Sequence, residues 1–168
     1  IAIGRNALGS NTTGTLNTAL GYDALFTNVD GDNSTAVGYQ ALYSQEPASN
    51  VDMYNVMVGH TAGYGLTTGI RNVGVGASVL QGAVTGNDNT AMGHAALAAN
   101  TTGGEQTAVG SLALDANTTG TENTAFGFSA LTSNTTGNSN TALGRKTLFT
   151  NTTGTGNVAV GQGALLAN

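Results

Sequence analysis

Few side chains in this sequence can do acid–base, nucleophilic or metal chemistry, and their spacing keeps them apart. There is no cysteine, which removes disulfides, zinc thiolates and thiol nucleophiles. His60 and His94 occupy one position of a repeat, two units apart. In a stacked structure that spacing is about 10 Å, too far to share a metal ion. We read them as surface residues. Residues 28–33, Asn-Val-Asp-Gly-Asp-Asn, alternate oxygen ligands around a glycine, as Ca²⁺ loops do. They lack the closing bidentate Glu, and Asp-Gly is equally ordinary turn chemistry. Arg145-Lys146 is a lone basic pair suited to a solvated corner. No Ser-His-Asp or paired-carboxylate constellation has a usable spacing, so we expect neither an enzyme nor a bound cofactor or metal.

Aromatic residues offer recognition rather than catalysis. Tyr22, Phe26, Tyr39, Tyr43, His60 and Tyr64 recur at two repeat positions on three neighbouring units. The one irregular loop falls in the same region, within residues 44–55, and brings Pro47 and Tyr54. Aromatic side chains stack on sugars and anchor protein contacts, and function favours loops on rigid scaffolds. These eight residues form the candidate recognition patch.

The element that positions all of these is a repeat. Gly4, Gly21, Gly38, Gly59, Gly76, Gly93, Gly110, Gly127, Gly144 and Gly161 are 17 residues apart, except that Gly38 and Gly59 are 21 apart. A short period covering the whole chain is the signature of a solenoid. The consensus is Thr-Ala-Φ-Gly-x-x-Ala-Leu-x-x-Asn-Thr-Thr-Gly-x-x-Asn, with Φ aliphatic. Its first position is Thr, Val or Ile, and its third is always apolar, which describes a short β-strand. Asn-Thr-Thr-Gly is a turn sequence. Asn17, Asn55, Asn72, Asn89, Asn123, Asn140 and Asn157 precede the strands, where stacked amides form ladders. Ten coils at about 4.8 Å predict a rod of roughly 50 Å. The expected fold is all-β: a parallel β-solenoid (β-roll) of about ten 17-residue coils, in a single repeat domain over residues 1–168.

Alternate strand residues point to opposite faces. The apolar third position suggests that first and third positions face inward with the leucine row. The second position would then face outward: Ala19, Ala36, Gly74, Ala91, Ala108, Ala125, Ala142 and Ala159. A flat, small-residue face suits close approach of another backbone, so these residues are the candidate subunit interface.

Composition narrows the partners. Only 8% of residues are charged and the net charge is −5 with four Lys+Arg, too few to track a phosphate backbone. No run of 18 apolar residues is present, so no membrane insertion is expected in this segment. Asn-x-Thr/Ser sequons recur at Asn11, Asn33, Asn100, Asn117, Asn134 and Asn151, and we read them as turn residues. The chain opens and stops inside a repeat, which leads us to expect a segment of a longer fibre.

The Asn-x-Ala-Φ-Gly units at residues 17–21, 89–93 and 140–144 resemble the repeats of trimeric autotransporter adhesin heads. That resemblance implies left-handed parallel β-rolls, three chains side by side, with the small-residue face toward the partners. The longer unit, with Ala-Leu and Asn-Thr-Thr-Gly, is similar to repeats in phage tail fibres and related bacterial fibre proteins. The expected function is a non-enzymatic, extracellular structural or adhesive fibre segment on a cell surface or virion tail. It would present a rigid rod to a host glycan, surface protein or matrix. A filament stacking end to end is the alternative, and an ice-binding solenoid is a further one.

Overall fold

In this computed structural model, which describes residues 1–82 and 84–167, the chain winds into a β-solenoid. Each coil contributes one strand: β1 (Ala2–Ile3), β2 (Thr18–Leu20), β3 (Thr35–Val37), β4 (Val56–Val58) and β5 (Val73–Val75). The series continues with β6 (Thr90–Met92), β7 (Thr107–Val109), β8 (Thr124–Phe126), β9 (Thr141–Leu143) and β10 (Val158–Val160). The ten strands form one parallel sheet in chain order. The register is constant: Thr107 pairs with Thr124, Ala108 with Ala125 and Val109 with Phe126. The described residues contain no helix.

Stacking is backbone-driven. The Gly21 N–H donates to the Ile3 carbonyl at 2.8 Å, and Gly38 repeats this with Leu20 at 2.8 Å. The anchor glycines from Gly4 to Gly161 have φ between 117° and 144°, where L side chains are strained. Space also excludes a side chain: a Cβ on Gly127 would lie 2.5 Å from the Gly144 carbonyl oxygen. The glycine column is therefore a seam where consecutive coils touch backbone to backbone.

The two strand faces are the reverse of the sequence expectation. Ala19, Ala36, Gly74, Ala91, Ala108, Ala125, Ala142 and Ala159 are buried within the single chain. They are core, not an exposed subunit interface. The first and third positions point to solvent: Phe126 is 51% exposed and Leu143 46%, while Ala125 between their rows is 0%. The reason is volume. A 17-residue coil is so narrow that only a methyl group fits opposite the leucine row. Leu25, Leu42, Leu80, Leu97, Leu114, Leu131 and Leu148 fill the lumen, each after a buried residue that is Ala in five coils, Val79 in one and Thr147 in another. These leucines adopt φ near 50° in the corner, a conformation costing about 1 kcal/mol or more per residue.

The coil with different packing shows the same constraint. Met57 stands where other strands carry Ala or Gly, and Gly63 stands where others carry Leu. A Cβ on Gly63 would lie 2.8 Å from Met57 Cγ, and one on Gly74 would clash with the Met57 sulfur. The methionine occupies the volume of the missing leucine, and Gly74 on the next strand makes room for its Sδ. Three departures from consensus are one packing solution.

Two asparagine ladders run together along one end of the lumen, sharing a row of glycine carbonyls: Asn123 and Asn134 both donate to Gly137. Asn140 donates from Nδ2 to Asn123 Oδ1 at 3.1 Å and to the Gly154 carbonyl at 2.8 Å. Its Oδ1 accepts the Asn157 N–H at 3.0 Å. In the turn row, Asn134 donates to Asn117 at 2.8 Å and Asn151 to Asn134 at 3.0 Å. Where Ser34 interrupts the first ladder, the longer Gln45 of the second reaches across. Its Oε1 accepts from the Ser34 hydroxyl at 3.1 Å and from Asn55 Nδ2 at 3.0 Å.

Losing one buried amide leaves several partners unpaired, at about 1–3 kcal/mol each. Asn140→Ala is expected to lower the unfolding free energy by about 2–4 kcal/mol. The exposed Asn138→Ala on the same coil is expected to cost about 1 kcal/mol or less. Chemical denaturation of the two variants tests this contrast.

Candidate functional site

The repeat positions after the anchor glycine and after the leucine lie on tight corners, so their side chains are thrown outward. In-register stacking then sets like positions one coil apart. Tyr22 and Tyr39 stack with centroids 5.4 Å apart and planes at 20°, and Tyr39 continues to His60 at 5.0 Å and 14°. In the second column Phe26 stacks on Tyr43 at 5.4 Å, and Tyr43 on Tyr64 at 5.1 Å and 10°. The Arg5 guanidinium covers the outer end of the first ladder, 5.4 Å from the Tyr22 ring centroid. Phe26 lies over Gly9, where a Cβ would come within 2.8 Å of the ring.

The structure therefore brings six of the eight predicted patch residues into two ladders. It places the other two elsewhere. Pro47 is buried beneath the irregular loop, near Gly31 and Met53. Tyr54 stands apart on that loop, 52% exposed, with its hydroxyl donating to Asp52 Oδ2 at 3.1 Å. The ladders also correct the kind of recognition expected. Ring faces are turned to each other, so the edges, rather than flat stacking platforms, meet solvent.

The polar candidates resolve into turn chemistry. Asn28 is buried and donates to the Gly31 carbonyl at 2.9 Å. Asp30 Oδ1 accepts the Thr13 hydroxyl at 2.6 Å, Asp32 Oδ1 accepts from the backbone and hydroxyl of Thr15, and Asn33 donates to Asp52. Their oxygens are engaged separately across coils rather than converging. Among the described residues no group of three or more His, Cys, Asp or Glu could hold a metal ion, and no pocket is present. The sequon residues Asn100, Asn117, Asn134 and Asn151 are buried in the turn ladder. Arg145 and Lys146 sit over aromatic rings, 5.7 Å from Phe128 and 5.2 Å from Phe149.

The largest feature that sequence reasoning missed is the outward strand face. Its two columns run the length of the sheet, from Ile1 and Ile3 to Val158 and Val160, without a charged residue. The first column holds six threonines (Thr18, Thr35, Thr90, Thr107, Thr124 and Thr141) and the second is apolar throughout. The signal was present in the absence of charge from both columns, but it was assigned to the interior. The stripe is about 45 Å long by the spacing of stacked strands. Exposed apolar stripes of this kind mark association surfaces.

No family model matches this sequence, no curated protein matches it, and no solved structure does.

Hydrogen bonding to the Asp52 carboxylate, together with that group's negative charge, holds the Tyr54 phenol above the usual tyrosine range. Asp52→Asn removes the charge and is expected to move Tyr54 ionisation to lower pH. The Tyr54 ring-carbon NMR shift, followed through alkaline titration, checks this.

Proposed function

We propose that the chain is a non-enzymatic structural rod that packs side by side with copies of itself, as a homotrimer in an extracellular adhesin or tail fibre. The observation that carries this reading is the uncharged outward strand face of β1 to β10, an apolar stripe left on solvent by a single chain. It replaces the alanine face as the proposed subunit interface. A second copy suits the stripe better than a charged partner, because the stripe has no charge to complement and matches its own length and register. The resemblance to trimeric adhesin heads supplies the number of chains and the setting. The rod would hold its outward corners and loop toward a host glycan, surface protein or matrix.

Ice binding is the second reading, favoured by one observation. Thr90, Thr107, Thr124 and Thr141 form an outward column on consecutive parallel strands. Against it, the adjacent column varies in size from Val109 to Phe126, so the face is uneven.

Light scattering across a dilution series is expected to give a constant three-chain mass for the wild type. Phe126→Asp points outward and leaves the lumen intact. A buried aromatic anchor at an interface is worth about 2 kcal/mol or more, so this variant is expected to dissociate at concentrations at least about tenfold higher than the wild type. A monomeric wild type with thermal hysteresis would replace the assembly reading by ice binding. An end-to-end polymer would replace it by the filament.

A further inference from the structure

We propose that the two aromatic ladders are sites of intrachain dityrosine cross-linking, at Tyr22–Tyr39 and Tyr43–Tyr64, under peroxidase and hydrogen peroxide. Four of the five tyrosines in the chain fall in these two pairs. The partners are 17 and 21 residues apart in sequence, yet their rings stack at 5.4 and 5.1 Å with planes 20° and 10° from parallel. Centroids this close with nearly parallel planes hold the two phenols of each pair side by side, within reach of direct ring-to-ring coupling. Tyr22 and Tyr39 are 38% and 43% exposed, and Tyr43 and Tyr64 are half-buried, so an outside oxidant can reach them. Neither ladder lies on the strand face, so the inference is independent of the proposed assembly.

The chemistry balances without a further reagent. The peroxide-oxidised haem of the peroxidase takes one electron and one proton from each phenol, and hydrogen peroxide is reduced to two waters. The two phenoxyl radicals couple at Cε to form one carbon–carbon bond. The two displaced ring protons return to the phenolic oxygens, restoring aromaticity. The product has two hydrogen atoms fewer than the reactants. Pre-stacking replaces a bimolecular encounter of radicals by an intramolecular one, which is the origin of the selectivity. The products would covalently link coils two to three and three to four.

The test exposes the purified chain at low concentration to horseradish-type peroxidase and limiting hydrogen peroxide. Dityrosine emission and peptide mapping by mass spectrometry follow the product. Cross-links mapped to Tyr22–Tyr39 and Tyr43–Tyr64, with the chain's own mass retained in a denaturing gel, are the expected result. Tyr39→Phe with Tyr43→Phe keeps both stacks but removes one phenol from each pair, and is expected to reduce emission at least about tenfold. Tyr54→Phe is expected to leave emission unchanged. No dityrosine, cross-links chiefly between chains or through Tyr54, or undiminished emission in the double phenylalanine variant would each overturn the assignment.

Discussion

Outside the irregular loop, the described residues sit over like positions one coil away, and that translation governs the rest. The glycine column permits it, because backbones can approach there without a Cβ between them. Once it holds, a favourable contact at one position recurs along the rod. Amides ladder, rings stack and hydroxyls such as Thr118 bond the next carbonyl, here Thr135 at 3.1 Å. The same translation stacks like charges, and the low charge content follows from it. One stacked position is compensated by an opposite charge, in the exposed Arg71–Asp88 pair at 2.6 Å. That pair holds the Asp88 carboxyl below its usual range. Such exposed pairs add little to stability.

Stability is correspondingly one-dimensional. A single coil has a lumen of one strand methyl, one Ala-Leu pair and two asparagines, too little to fold alone. Adjacent coils supply the hydrogen bonds and close the core. Helix propensity and long-range tertiary packing have no role among the described residues; neighbour-to-neighbour stacking carries the fold.

The period, the parallel strands, the turns and the amide ladder were legible in the sequence, because each is a statement about residues one repeat apart. The sidedness of the strand was not. Alternation says that Ala125 and Phe126 point opposite ways, but it does not say which way is in. Hydrophobicity favoured Phe126 inside. The lumen is only wide enough for Ala125, since Leu131 already fills it. The aromatic cluster was legible as a cluster, because its columns repeat. Its ring orientation was not, because ladder geometry follows from register rather than residue type. Pro47 was grouped with the exposed aromatics by proximity in sequence, and the loop folds it inward.

The irregular coil has a consequence for how such a chain finds one fold. Near-identical repeats can pair with the wrong neighbour and still satisfy most backbone bonds, so a uniform rod has many almost degenerate alignments. Met57 fits only against Gly63 and Gly74, and Ser34 is satisfied only by Gln45. A slip of one repeat would place methionine against alanine and leave buried amides unpaired. These few departures from consensus act as a keyed joint, making one alignment of the ten coils lower in energy than its shifted copies.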